Sequence, residues 1–225
     1  MEETKTLTKK ILTLKSPSLF IFSARRNSGK SHLITFLLYN KVKEFNHVFV
    51  MCPTSFNGHY QKYLNKSSII SNFDEEIINK LFDRQKQMLA DKTKRKEKIL
   101  LILDDCLSSS TFKSPTFQRI AAEGRHYLIE CWISTQHYSK LPPIIRLNSD
   151  YIFILGNQTK NIQTLIFDEF GGGYDDFNKF SARLRDCTTN YGAFVINNLD
   201  NGNDYGIRAP AKLPNFRITN KKRNK

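Results

Sequence analysis

Short, continuous apolar runs recur along the chain and alternate with longer polar or helix-like segments. The runs that predict strands lie at residues 18–23, 46–51, 99–103, 127–134 and 151–155. An apolar run without polar alternation is typical of a strand buried on both faces of a parallel sheet. The pattern therefore predicts an α/β fold with a mainly parallel central sheet and helices on both of its faces.

The segments between these runs predict helices, the first of which follows the first strand and continues to about residue 43. Further helices are expected within 73–89, 108–122, 141–148 and 160–190. Gly171–Gly173 interrupts the last of these, and it predicts a hinge or a helix break because no Lys-Ser pair follows it. A strand at 191–196 and a returning segment at 205–208 predict a C-terminal β-hairpin across Asn201-Gly202.

The length and the ends of the chain predict one folded domain with polar flanks. A chain of 225 residues suits a single α/β domain. We expect a polar lead-in over residues 1–16 and the domain itself over 17–213. The basic segment 214–225 is expected to be a disordered tail.

The segment that joins the first strand to the first helix carries a recognisable pattern. It reads Ala24-Arg25-Arg26-Asn27-Ser28-Gly29-Lys30-Ser31 and is followed by His32. This matches the phosphate-binding pattern G-x-x-x-x-G-K-[ST], except that Ala24 replaces the first glycine. A surface turn without a ligand is the alternative, but the strand before it and the helix after it favour a phosphate loop.

In the phosphate-loop interpretation each position of this segment has a chemical role. Gly29 lets the backbone approach phosphate oxygens, and the N–H groups from Asn27 to His32 form an anion-binding nest. Lys30 reaches the β- and γ-phosphates, and the Ser31 hydroxyl binds Mg²⁺. The predicted ATP-binding residues are Ala24, Arg25, Arg26, Asn27, Ser28, Gly29, Lys30, Ser31 and His32.

Two acids follow the strand at 99–103, which is how a parallel sheet presents carboxylates at its edge. Asp104 is predicted to bind Mg²⁺ through its water shell, and Asp105 to orient or deprotonate the attacking water. Two helix-capping acids after a core strand are the alternative. Gln136 follows the next strand and is expected at the same edge, where it senses the γ-phosphate or positions water.

The charge of the chain indicates a polyanionic partner. Thirty-five Lys and Arg against 21 Asp and Glu give a formal net charge of +14. Nucleic acid is favoured over an anionic membrane, and a merely basic protein without such a partner is the alternative. The run Lys92–Lys98 is a candidate DNA-contacting loop, although such runs are more often a solvated surface.

The remaining composition narrows the class of protein. Cys52, Cys106, Cys131 and Cys187 form no C-x-x-C pair, which predicts reduced thiols, a reducing compartment and no zinc site. No apolar run reaches membrane-spanning length, so we expect a soluble, unsecreted protein without a membrane span. Aromatic residues at 56–63 would either stack on bases or pack a loop against the sheet, and packing is favoured.

With these motifs placed, the chain resembles the genome-packaging ATPases of large eukaryotic DNA viruses. These form the poxvirus-type branch of the FtsK/HerA superfamily of phosphate-loop NTPases, and the resemblance covers about residues 17–210. It rests on the phosphate loop, on the strand that ends in Asp104-Asp105, and above all on a third span. That span runs from Gly124-Arg125-His126 through Ser134-Thr135-Gln136 to Leu141-Pro-Pro-Ile-Ile-Arg146-Leu-Asn148.

The resemblance implies a RecA-like sheet of strand order 5-1-4-3-2 and a homo-oligomeric ring, a pentamer or hexamer. ATP with Mg²⁺ would bind between neighbouring subunits, and double-stranded DNA would pass through the middle without base recognition. An arginine from the adjacent subunit would stabilise γ-phosphate charge, with Arg125 the first and Arg146 the second choice. Either arginine would otherwise be a structural ion-pair partner.

The implied activity is an ATP-driven DNA translocase that fills preformed capsids. A capsid or portal-vertex protein would be its partner, and the viral factory in the host cytoplasm, or the virion, its location. The first alternative is a helicase-like ATPase motor in viral replication or recombination. A non-hydrolysing, ATP-dependent DNA-binding scaffold and a small-molecule kinase are less favoured, because Lys30, Asp105 and Gln136 are all present and no lid-like arginine cluster stands out.

Overall fold

The computed structural model describes residues 11–200 and 203–220. Its strands are β1 (Leu19–Ala24), β2 (His47–Met51), β3 (Ile69–Ile70), β4 (Ile99–Asp104), β5 (Ile129–Thr135), β6 (Tyr151–Leu155), β7 (Ala193–Asn197) and β8 (Asn203–Ile207). Its helices are α1 (Lys30–Lys41), α2 (Glu75–Ala90), α3 (Ser109–Phe112), α4 (Pro115–Glu123), α5 (Pro143–Leu147), α6 (Lys160–Phe170) and α7 (Phe177–Thr188). Short 3₁₀ turns connect several of these elements.

All strands form one sheet in the order β3-β2-β4-β5-β1-β6-β7-β8. The five strands predicted as the core correspond to β1, β2, β4, β5 and β6, and they are parallel and in the predicted RecA-like order. The full order differs by three further strands. β3 adds to the edge beyond β2, and β7 and β8 add an antiparallel hairpin beyond β6. The predicted hairpin therefore extends the main sheet, and its turn at 201–202 lies outside the described residues.

Both faces of the sheet are buried, which explains why its strands are continuous apolar runs. On one face, Phe22 and Phe153 stack with ring centroids 4.6 Å apart, and Phe20 stacks on Trp132 at 5.4 Å. Leu33 and Leu37 of α1 belong to this cluster. The opposite cluster contains apolar side chains from α2, α4, α6 and α7, among them Phe82, Phe117, Ile166 and Phe180.

The two flanking segments pack on the domain more closely than their composition indicates. Ile11 is 2% exposed and Leu14 is 7% exposed, so part of the predicted lead-in belongs to the core. Near the other end, Ile218 bridges Leu64, and Asn220 Oδ1 accepts a hydrogen bond from Val48 N at 2.9 Å. The ordered domain thus extends beyond 17–213 on both sides, and residues 1–10 and 221–225 lie outside the described part.

Two further expectations have a structural outcome. Gly171–Gly173 forms a 3₁₀ turn between α6 and α7, which is the predicted helix break. All four cysteines are free thiols, and Cys52, Cys106 and Cys131 are buried.

Within 11–200 and 203–220, no helix combines the length and the apolar character that crossing a bilayer requires.

Candidate nucleotide-binding site

The phosphate loop connects β1, in the middle of the sheet, to the first turn of α1. Gly29 lies immediately before α1 with a φ of 83°, and Asn27 has a φ of 59°. Glycine adopts this left-handed conformation without steric cost, and asparagine tolerates it better than most residues. A side chain at position 29 would also be crowded, because its Cβ would lie 3.2 Å from Tyr191 Cδ1. The local backbone therefore requires glycine where the motif has it.

The start of the loop accommodates the departure from the motif. Ala24 is 1% exposed and is the last residue of β1, where it pairs with Leu155 of β6. Beyond it, Arg25 and Arg26 are exposed. The Ser28 hydroxyl donates to the carbonyl of Arg25 at 2.9 Å, which closes the turn. Alanine thus serves as a strand end, and the residues that would touch phosphate follow it.

Lys30 and the second acid of the pair meet directly. Lys30 Nζ lies 2.7 Å from Asp105 Oδ1, and Gln136 Nε2 donates to Asp105 Oδ2 at 3.1 Å. Lys30 is 7% exposed, whereas the Asp105 side chain keeps 32% of its surface exposed. Three residues that were predicted as catalytic from distant parts of the chain therefore form one contiguous cluster at the carboxyl edge of the sheet.

Asp104 is buried beside this cluster and is held by two hydroxyl groups. Tyr60 OH donates to Asp104 Oδ2 at 2.8 Å, and the Ser134 hydroxyl donates to Oδ1. Burial, together with the charge of Asp104, raises the pKa of Tyr60 well above its usual value, so its hydroxyl remains a donor. Each carboxylate oxygen has two lone pairs and uses one here, which leaves acceptor capacity on both oxygens.

The residues assigned to magnesium share one cavity. It has a volume of about 180 Å³, and its lining includes Ser31 and Asp104. The other lining residues are Cys52, Thr54, Asn57, His59 and Tyr60. A hydroxyl and a carboxylate with free acceptor capacity are the oxygen ligands that Mg²⁺ prefers, either directly or through its retained waters. The side chains present therefore fit a hydrated magnesium ion.

Hydrogen bonds that join Ser31, Thr35 and His59 support the first turn of α1 beside this cavity. Thr35 Oγ1 donates to the carbonyl of Ser31 at 2.8 Å and lies 2.9 Å from His59 Nε2. Burial lowers the pKa of His59, which favours the neutral imidazole, although the charge of Asp104 opposes this shift. His59 and Tyr60 of the neighbouring loop thus contact the site, and Tyr60 is 1% exposed, which agrees with the packing interpretation for that aromatic residue.

His32 contributes to the site in a limited way. Its Nε2 lies 2.7 Å from the carbonyl oxygen of Pro210, so its side chain contacts the segment after β8. Its backbone N–H remains the group predicted to contact phosphate.

Both arginines proposed to act in trans form ion pairs within the chain. Arg125 Nη1 lies 3.1 Å from Asp150 Oδ1, before β5 and β6 begin and therefore at the amino edge of the sheet. Arg146 Nη2 lies 2.6 Å from Glu169 Oε1, and this arginine is 7% exposed. Neither side chain joins the cluster around Lys30. Within the chain, Arg125 and Arg146 are therefore ion-pair partners of Asp150 and Glu169. Their action on a neighbouring subunit stays a prediction.

Sequence reasoning missed the two residues that hold Asp104. Ser134 pairs in register with Asp104 across β4 and β5. It was visible as a polar residue in an apolar strand, one position before Thr135-Gln136. Tyr60 lies 44 positions from Asp104 in a loop without periodicity. For that residue no signal in a single sequence was available.

Comparison with known proteins identifies a matching family model and viral relatives of this chain. The chain matches the family model described as the poxvirus A32 protein over residues 7–170. It is 31% identical to the uncharacterized protein L437 of Acanthamoeba polyphaga mimivirus over 196 residues, covering 81% of this chain and 67% of that protein. It is 32% identical to the uncharacterized protein 075L of invertebrate iridescent virus 6 over 192 residues, covering 84% and 74%.

A solved structure gives the fold comparison. The genome packaging NTPase B204 from Sulfolobus turreted icosahedral virus 2, in complex with ATP-gammaS, has a TM-score of 0.60 to this chain at 19% identity. The match covers 86% of this chain and 98% of that protein. The resemblance to the poxvirus-type ATPases and the phosphate-loop NTPase fold are thereby confirmed.

Proposed function

We propose a function for this chain from one premise: it belongs to the poxvirus A32 protein family. We infer that it is an ATP-hydrolysing translocase that moves double-stranded viral DNA into preformed capsids. The observation that carries the ATPase part is the contact of Lys30, Asp105 and Gln136 beside the cavity lined by Ser31 and Asp104. The DNA-packaging part is supported by the resemblance of the motifs and by the described activity of the B204 protein.

Nucleotide binding would use groups that are already in position. The backbone N–H groups at the start of α1 would bind the phosphates, and Lys30 would neutralise the β- and γ-phosphate oxygens. Ser31 and Asp104 would hold Mg²⁺, which supplies positive charge to the β- and γ-phosphate oxygens when it is bound. The hydroxyl groups of Tyr60 and Ser134 would keep the Asp104 carboxylate in place.

The Lys30–Asp105 ion pair links binding to hydrolysis. An incoming γ-phosphate competes with Asp105 for Lys30, because both are anionic partners of the same ammonium group. Once released, Asp105 would accept a proton from the water that attacks the γ-phosphorus, while the bond from that phosphorus to the β–γ bridging oxygen breaks and ADP leaves. Gln136, which already donates to Asp105 Oδ2, would orient that water. The same cluster would thus be paired at rest and active only when ATP is present.

The DNA and assembly parts of the proposal rest on charge and on family. A net charge of +14 favours a non-sequence-specific grip on phosphates, as translocation along any sequence requires. We propose a ring of five or six subunits, in which Arg125 of one subunit stabilises charge at the γ-phosphate of the next. A capsid or portal-vertex protein would receive the DNA, in the viral factory of the host cytoplasm.

The test is ATP turnover by the purified full chain with and without double-stranded DNA, together with its oligomeric mass. We expect DNA to stimulate turnover, and Lys30→Ala to reduce it at least 100-fold, as about 10² or more is typical for lost transition-state stabilisation. Lys80→Ala is the matched control, since Lys80 is an exposed lysine that pairs only with the exposed Glu76 among its described ion-pair contacts.

Each outcome of that test bears on a separate part of the proposal. Turnover that survives Lys30→Ala would reject the phosphate-loop assignment. ATP turnover that double-stranded DNA does not stimulate would reject the translocase proposal. A separate experiment in infected cells distinguishes the replication motor: loss of the protein that stops genome copying but leaves capsid filling intact would favour that motor over the translocase.

A further inference from the structure

We propose that Tyr191 binds the nucleobase of the nucleotide by stacking, so that the β7–β8 hairpin builds the nucleoside side of the site. This inference rests on the proposed function, because it assigns a residue to the nucleoside of the ATP that the phosphate loop would hold. Nothing in the sequence motifs assigns a role to Tyr191.

The sheet order determines on which side of the loop the nucleoside lies. β1 stands between β5 and β6, so the phosphate loop has two flanks. The acids and Gln136 follow β4 and β5 and therefore mark the γ-phosphate flank. An extended triphosphate that ends there must place its nucleoside toward the other flank, where β6 ends and β7 begins.

Tyr191 occupies that second flank at the correct edge of the sheet. β7 is antiparallel to β6, and Leu155 pairs with Ala193, so the residues just before β7 lie at the carboxyl edge. The Tyr191 ring reaches the loop itself, since a Cβ built on Gly29 would meet Tyr191 Cδ1 at 3.2 Å. The side chain nevertheless remains 70% exposed. A large aromatic surface is thus available directly beside the predicted phosphate site.

The backbone holds this aromatic residue in an uncommon conformation. Asn190 and Tyr191 have φ values of 49° and 59°, and a bulky residue rarely adopts the left-handed region. Gly192 N donates to the carbonyl of Thr189 at 2.9 Å and closes the turn. A Cβ at position 192 would lie 2.1 Å from the carbonyl oxygen of Cys187, so only glycine fits there.

The segment that follows β8 supports the same turn from the other side. Arg208 Nη2 donates to the carbonyl of Thr189 at 3.2 Å. Two residues later, the carbonyl oxygen of Pro210 contacts His32 in the first turn of α1. The turn that carries Tyr191 is therefore tied both to the hairpin and to the helix that begins at the phosphate loop.

Stacking on an aromatic ring is tolerant of base identity, because every base offers a π-face. We therefore expect Tyr191 to strengthen the binding of ATP and GTP to a similar extent. Stacking of one base on an aromatic side chain is worth about 1–3 kcal/mol, which corresponds to roughly 5- to 150-fold in affinity. Tripolyphosphate has no base and gains nothing from this contact.

The experiment measures dissociation constants of the purified full chain for ATP, GTP and tripolyphosphate. We expect Tyr191→Ala to weaken ATP and GTP about 10-fold or more and to change tripolyphosphate less than 2-fold. Tyr191→Phe keeps the ring and should bind both nucleotides as the unmodified chain does. Leu199→Ala, which removes another exposed apolar side chain near the hairpin, should change none of the three ligands.

The outcomes separate this inference from the proposed function. Equal losses for ATP and tripolyphosphate in Tyr191→Ala would overturn stacking and indicate that the ring supports the loop. Tighter binding of all three ligands would overturn it as well and indicate a cover over the loop. Unchanged ATP affinity would likewise reject it, with the phosphate loop left intact. If the unmodified chain bound neither ATP nor tripolyphosphate, the proposed function itself would fail, and this inference with it.

Discussion

The two edges of the central sheet both carry a charged pair, but the two pairs are built differently. At the carboxyl edge, Lys30 contacts Asp105, whose side chain is 32% exposed. At the amino edge, Asp150 is 4% exposed and accepts from Leu19 N at 2.7 Å and from Arg125 at 3.1 Å. Both carboxylates accept hydrogen bonds on both oxygens, but the buried partner of the pair differs. At the amino edge the carboxylate is buried and the Arg125 side chain is 38% exposed, whereas at the carboxyl edge Lys30 is buried and the carboxylate is open to solvent.

This difference separates a carboxylate that the fold holds in place from one that a ligand can release. A buried carboxylate bonded on both oxygens fixes the ends of two strands, and its loss leaves backbone and side-chain donors unpaired. A half-exposed carboxylate costs little to separate from its partner, since water and a new anion replace the lost contact. The Lys30–Asp105 pair lies beside the phosphate loop. The exposure of Asp105 would therefore allow a bound phosphate to replace it as the partner of Lys30.

Removing the charge at the carboxyl edge should have the largest effect, and its main consequence should be a slower chemical step. We expect Asp105→Asn to lower ATP turnover by about 10²–10⁴, the usual range for a lost general base. ATP should bind as well as before or slightly more tightly, because Lys30 is no longer neutralised. Single-turnover hydrolysis and nucleotide affinity measure the two effects. Asp83→Asn, on the exposed face of α2, is the control.

Removing the charge at the amino edge should act on stability. We expect Asp150→Ala to lower the free energy of unfolding by about 1.5–3 kcal/mol, the cost of losing hydrogen bonds to a charged group. Chemical denaturation measures it, with Asp83→Ala as control. An Asp150 variant as stable as the unmodified chain would contradict the contrast between the edges.

The smallest expected effect is a pH dependence at the amino end of β5. Burial raises the pKa of Glu130 from 4.5 to about 7, although the charge of Lys41 opposes the shift. The folded chain then binds more protons than the unfolded chain between these two pH values, so stability falls as pH rises through that window. We expect a slope of about 1 kcal/mol per pH unit in the unfolding free energy.

Glu130→Gln should remove that slope and keep the acceptor for Trp132 Nε1, which donates to Glu130 Oε1 at 2.8 Å. Unfolding measured at pH 5, 6 and 7 tests this. A slope that persists in the Gln variant would assign the pH dependence to another group.

The fold was predictable where burial produces a recognisable hydrophobic pattern in the sequence. The five central strands are buried on both faces, so each appears as an unbroken apolar run, and their order followed from the family resemblance. β3 has only two residues, Ile69 and Ile70, which is too short for any periodicity. Ile11 and Leu14 were assigned to a polar lead-in because the lysines and threonines of residues 1–17 dominated the interpretation, although positions 7, 11 and 14 carry apolar residues at the spacing of a helix face.

The site was predictable where one stretch of backbone determines the geometry. The phosphate loop and the acids after β4 are local patterns, and the structure brings them together. The hydroxyl groups on Asp104 come from residues 30 and 44 positions away, so they depend on sheet register and on loop packing. Tyr191 depends on the direction of a late strand. Contacts of this kind arise only from the complete topology.

The central position of β1 also affects how the chain must assemble. Leu19, at the start of β1, is joined by hydrogen bonds to Asp150, 131 positions later. Such long-range pairing slows folding, since distant parts of the chain must meet before they stabilise each other. Because β1 lies between β5 and β6, we expect the proposed nucleotide site to reach its final geometry only after β6 has been synthesised and inserted next to β1. During translation, the capacity to bind ATP would then arise late, once the five central strands have assembled.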